Sequence, residues 1–131
     1  MTKKGRRGEY EAFFSLKPVF PDITLTAERG FQKQFDLSCS LAHFEVKKHR
    51  AFSWNELVKF WQKLRERTPQ EKHAYLIFIA NRQPALVMFK ELAGFQHIVD
   101  GPLAVKTFTD VFHKPWIPYK DVPKVNRHTG E

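Results

Sequence analysis

Apolar and polar residues alternate along Phe35-Asp36-Leu37-Ser38-Cys39-Ser40-Leu41. This places Phe35, Leu37, Cys39 and Leu41 on one face of a strand and Asp36, Ser38 and Ser40 on the other. After a turn the alternation resumes: Phe44 and Val46 face a core, and His43, Glu45 and Lys47 share the opposite side. Two acids and a lysine therefore project from neighbouring strands whose other face is apolar. Next, Ser53-Trp54-Asn55-Glu56 reads as a capping box. The helix it opens carries Trp54, Leu57, Val58, Trp61 and Leu64 as a stripe predicted to be buried, with Lys59, Gln62, Lys63 and Arg65 on the other face, and Thr68-Pro69 to close it.

The run Ala74–Ala80 is nearly all apolar, which predicts a central strand covered on both faces. The turn Asn81-Arg82-Gln83-Pro84 leads to a second apolar strand over Ala85–Phe89. Upstream, Gly8–Leu16 reads as a short helix with Tyr10, Phe13 and Phe14 as its stripe and Glu9 and Glu11 in its first turn, where acids favour the helix dipole. Pro18 and Pro21 end it, Ile23–Thr26 begins strand-like material, and Gly30 marks a turn. Asp100-Gly101-Pro102 predicts a further helix with Ala104, Phe108, Val111 and Phe112 on its apolar face. Pro115, Pro118 and Pro123 then exclude helix and central strand to the end, with packing expected around Trp116–Tyr119 and a loose terminus. The elements predict an α/β fold with a mixed central sheet flanked by helices, as one domain over residues 1–113 followed by a proline-rich basic tail over 114–131.

A chain of 131 residues with 42% apolar residues, 13 of them Phe, buries a real core. Net charge of +8 and a pI near 9.7 point to a polyanionic partner. The cations cluster at Lys3, Lys4, Arg6 and Arg7, at Lys47, Lys48 and Arg50, and again from Lys114 to Arg127. A lone cysteine, Cys39, excludes a disulfide framework and a thiolate zinc cluster. The absence of a long apolar run argues against a membrane span, and the cytoplasm is the default location. His43, His49, His73, His97, His113 and His128 fit no zinc spacing. There is no glycine-rich phosphate loop, and Ser38 and Ser40 have no identifiable base.

What remains is the strand face. Two carboxylates near each other repel unless a cation lies between them, and an adjacent ammonium suits a reaction that develops negative charge. Acid, then acid-x-Lys on the next strand, resembles the PD-(D/E)xK nuclease superfamily and, more narrowly, its archaeal and phage Holliday junction resolvases. The likeness covers roughly residues 3 to 90, judged by element order. It includes the leader Lys3-Lys4-Gly5-Arg6-Arg7-Gly8-Glu9, whose basic, glycine-containing run enters a first helix bearing an acid. Phe35 stands where the family name has proline, and the gap from Asp36 to Glu45 is compact.

The resemblance implies a restriction-endonuclease-like fold in which a helix joins the catalytic hairpin to a strand pair. It implies catalytic roles for Glu9, Asp36, Glu45 and Lys47, with Mg²⁺ (or Mn²⁺) on Asp36, Glu45 and the Val46 carbonyl. Glu9 would be a direct or water-mediated ligand. Lys3, Lys4, Arg6, Arg7, Lys48 and Arg50 would contact DNA, and a homodimer would cut a four-way junction symmetrically. Two alternatives stay open: a nuclease of the same fold acting on forks, flaps or duplex DNA, and a nucleic-acid-binding module without catalysis.

Overall fold

Helix α1 spans Lys3–Leu16 in the computed structural model, which describes residues 3–26, 36–91 and 102–123. The helix starts five residues before the expected Gly8, so Glu9 and Glu11 lie near its middle rather than in its first turn. Gly8 is tolerated inside it because the sheet comes close there: a Cβ at Gly8 would stand 3.4 Å from both Val46 Cγ1 and Lys48 Cβ.

Among the described residues six strands follow: β1 (Thr24–Leu25), β2 (Leu37–Ser38), β3 (Ala42–His49), β4 (His73–Ala80), β5 (Leu86–Lys90) and β6 (Leu103–Thr107). They form one sheet in sequence order, with β3 and β4 parallel and every other pair antiparallel. Helix α2 (Trp54–Arg67) makes the crossover that a parallel β3–β4 pair requires. The mixed α/β sheet flanked by helices is the fold class that the pattern predicted.

Alternation along β4 divides the core. Ile77 and Ile79 join Phe44, Val46, Ala12 and Leu16 under α1, while Leu76 and Phe78 pack with Leu57, Trp61 and Met88 under α2. The capping box forms as read: Glu56 N donates to Ser53 Oγ at 3.2 Å and Ser53 N to Glu56 Oε1 at 3.0 Å. At the other end of α2, Arg65 donates to the carbonyls of Thr68, Pro69 and Lys72 and so pins the loop that follows the helix. Trp54 departs from the predicted stripe. As the first residue of α2 it lies ahead of the turn that meets the sheet, and it is 57% exposed. Leu41 departs from the predicted strand face and is 60% exposed. Cys39 N bonds Ala42 O at 2.9 Å, which leaves Ser40-Leu41 as a two-residue hairpin loop where strand alternation no longer applies.

The helix expected after Pro102 is a strand for its first five residues. Leu103–Thr107 pairs with β5, and only Phe108–Phe112 is helical, as α3. Thr107 sets that boundary by accepting from Asp110 N at 3.1 Å. Beyond α3, Trp116 and Tyr119 pack onto the core under α1, and a 3-10 turn covers Tyr119–Asp121. The expectations placed on Gly30, Phe35, Asp100, Gly101, Lys124 and Arg127 lie outside the described residues.

The two α2 tryptophans should therefore separate in stability. Trp61→Ala should cost about 3–5 kcal/mol by emptying the α2 core. Trp54→Ala should stay within about 0.5 kcal/mol, as surface substitutions do. Urea denaturation of both variants measures this, and equal losses would contradict the packing of α2.

Candidate active site

The end of β2 is bulged. Leu37 is paired with Phe44, and Asp36 N also donates to Phe44 O at 2.9 Å, so two residues oppose one. The bulge turns Asp36 back over β3, where its Oδ2 accepts from Val46 N at 2.8 Å, and the residue is 4% exposed. Within a strand, a residue's N–H and C=O point to the same edge. The Val46 carbonyl therefore faces the edge on which Asp36 sits.

Glu45 and Lys47 project from the next positions of the same strand. Lys47 Nζ is 3.5 Å from Glu45 Oε1 and 4.7 Å from the centre of the Phe60 ring on α2. The ammonium thus lies between a carboxylate and an aromatic ring, and both charged side chains keep partial access to solvent. Asp36 thus meets the β3 backbone at Val46, between the positions that carry Glu45 and Lys47. Glu9 is buried in α1. Among the described residues, no three or more His, Cys, Asp or Glu side chains converge as a group that could hold a metal ion, so Glu9, Asp36 and Glu45 do not form a single cluster.

Glu11 is the acid whose role the sequence reading missed. It is 3% exposed. Its Oε1 forms an ion pair with Lys48, and its Oε2 accepts from Tyr119 N at 3.1 Å and Trp116 Nε1 at 3.4 Å. The signal was present in strand parity: Lys48 shares the face of Phe44 and Val46, points into the fold, and so needs a buried acid as partner. Of the expected DNA contacts, Lys48 is thereby engaged inside the protein and Arg50 is exposed. Arg6 and Arg7 are exposed on α1, with Arg7 5.1 Å over the Tyr119 ring. Lys3 and Lys4 open α1, and their side chains lie outside the described part.

His43, read with Glu45 and Lys47 on the side opposite the core, is buried. Burial, together with Lys72 and Arg65 nearby, pushes its pKa down to about 4. It is neutral near pH 7 and shielded from solvent. His49 lies on the Lys47 side, stacked on Phe52 at 4.8 Å and edge-on to Phe60 at 6.1 Å.

No family model matches the chain, and neither the curated proteins nor the solved structures contain a match. The likeness to the nuclease superfamily rests on residues and element order.

The buried His43 sets a pH dependence. The unfolded chain takes up its proton near pH 6.5 and the folded one only near 4. The histidine's contribution is therefore complete above pH 6.5 and is lost as pH falls towards 4. His73, lowered by burial and by Arg65, acts in the same direction. In urea melts between pH 7 and 4, His43→Gln should show a flatter stability profile than the parent chain. Identical slopes would mean that His43 is hydrated in the folded state.

Proposed function

We propose that this chain is a metal-dependent endodeoxyribonuclease of the PD-(D/E)xK type, acting on four-way DNA junctions. The observation that carries the reading is the bulged Asp36, folded onto the Val46 N–H beside the Glu45–Lys47 pair. Element order supports it: hairpin β2–β3, helix α2, then the strand pair β4–β5, as the resolvase resemblance implies.

The donors fit the expected ion. Two carboxylates and a carbonyl are hard oxygen ligands, and Mg²⁺ typically takes one or two carboxylates while keeping several waters. Asp36 and Glu45 would hold it with the Val46 carbonyl, and Glu9 would act through water. When bound, the ion lowers the pKa of a coordinated water and polarises the phosphate. The chain's own groups do the rest. The Val46 N–H fixes the orientation of the Asp36 carboxylate before substrate arrives. Lys47, held between Glu45 and Phe60, orients the attacking water and offsets the charge that builds on the phosphoryl oxygens. A water oxygen bonds to phosphorus and the bond from phosphorus to O3′ breaks. O3′ takes a proton, leaving a 5′-phosphate and a 3′-hydroxyl. Arg50 and the leader cations Lys3, Lys4, Arg6 and Arg7 would meet the backbone phosphates. Symmetric cutting of a junction would require a homodimer, and the cytoplasm is where such a substrate would be met.

The test is cleavage of a labelled four-way junction beside fork, flap and linear duplex, with and without Mg²⁺. The junction should be cut, in the presence of metal only. Asp36→Asn should abolish cleavage while binding in EDTA persists. Lys47→Ala should slow single-turnover cleavage by about two to three orders of magnitude, the loss expected for one preorganised donor. Lys47→Arg should not restore it, because a planar fork does not occupy the place of a compact ammonium. Binding without cleavage of any of these DNAs would favour the non-catalytic module. A Lys47→Ala rate within a few-fold of the parent would remove Lys47 from the chemistry.

A further inference from the structure

On the opposite face of β3 from Lys47, a cavity of about 340 Å³ opens at the carboxyl ends of the parallel strands β3 and β4. Its lining includes the Glu11–Lys48 pair, Arg82, Phe108, Trp116 and Pro118. The volume is within the range of small-ligand sites, about 300–1,000 Å³. The carboxyl ends of parallel strands are where open α/β sheets take ligands.

Arg82 is the feature that structure alone does not explain. Gln83 N bonds Ala80 O at 3.1 Å, which makes Ala80–Gln83 a β-turn with Arg82 as its third residue. Arg82 has φ 61°, in the left-handed region that favours glycine. The chain thus keeps a long cationic side chain where backbone conformation disfavours one. Such strain is found where a side chain serves a site. Arg82 is exposed and makes no ion pair among the described residues, whereas Lys48 is matched by Glu11. The cavity therefore combines one partly exposed aromatic wall, Trp116, backed by the buried Phe108, with an uncompensated guanidinium at its rim.

We propose that this cavity is a binding site for a nucleotide unit, with its phosphate on Arg82 and its base against Trp116. A guanidinium fork matches phosphate, and bases stack on aromatic side chains regardless of sequence. The same chemistry is offered by a free mononucleotide and by an unpaired nucleotide within a DNA strand. The site is separate from the Asp36–Glu45–Lys47 edge and needs no metal.

Calorimetric titration of the full chain in EDTA tests it, using dAMP, inorganic phosphate, single-stranded oligo(dT) and a blunt duplex as probes. Saturable binding of dAMP, stronger than that of phosphate, supports the site and assigns it to free nucleotides. Binding of oligo(dT) in preference to duplex, without dAMP binding, supports it and assigns it to unpaired strand. Arg82→Gly should keep or raise the thermal midpoint, since glycine suits the turn, and should weaken the supported ligand by about tenfold or more, the loss of one charged hydrogen bond. Three results would each overturn the proposal: binding of neither dAMP nor oligo(dT) at millimolar concentration, phosphate binding as tightly as dAMP, or an Arg82→Gly affinity within twofold of the parent. Because cleavage is not read and metal is absent, these results are independent of the nuclease reading.

Discussion

A carboxylate taken out of water must be matched, and Glu11 is matched from three directions at once. Lys48 comes from β3, the Trp116 indole and the Tyr119 amide come from the C-terminal segment, and α1 supplies the acid itself. This one side chain holds the first helix, a central strand and the last described segment together. Gly8 permits it by letting α1 approach β3 closely, and Ser15 Oγ adds a second tie by accepting from Ile117 N at 2.7 Å. Breaking a buried pair by removing one partner costs about 3–5 kcal/mol, with the lower end apt here because Lys48 keeps some contact with water.

That constraint also sorts the two adjacent lysines of β3. Strand parity sends Lys48 into the fold under α1 and Lys47 to the α2 side, where Glu45 and Phe60 receive it. Lys48 is tied to the buried Glu11, and Lys47 keeps partial access to solvent. With β3 packed on both faces, the bulge at Asp36 presents a carboxylate to its edge. The Val46 N–H then sets that carboxylate's orientation in advance. The buried Glu11 pair on the α1 side and the partly exposed Glu45–Lys47 pair on the α2 side are consequences of the same strand.

Much of this was legible from residue order. The Ser53–Glu56 capping box, the two-sided β4 and the hairpin bearing Asp36, Glu45 and Lys47 follow from local rules, and local rules decide them. The departures share a cause: tertiary contacts that periodicity does not encode. Trp54 fits the helical stripe but precedes the turn that touches the sheet. Leu103–Thr107 became a strand because β5 offered an open edge, and the Thr107–Asp110 cap starts the helix only after it. Glu9 and Glu11 looked like residues of a first helical turn because the apolar stripe begins only at Tyr10, while the helix itself starts at Lys3. The bulge at Asp36 depends on pairing across strands and has no signature in the strand itself.

The central claim is that Asp36, Glu45 and Val46 form one metal-accepting edge. Titration of ¹⁵N-labelled protein with Mn²⁺ addresses it directly, because paramagnetic broadening reports where the ion sits without requiring turnover. Broadening should centre on the amides of Asp36, Glu45 and Val46 and should vanish in Asp36→Asn. Broadening centred elsewhere, such as around Glu91 and Asp110, or unchanged by that substitution, would contradict the site.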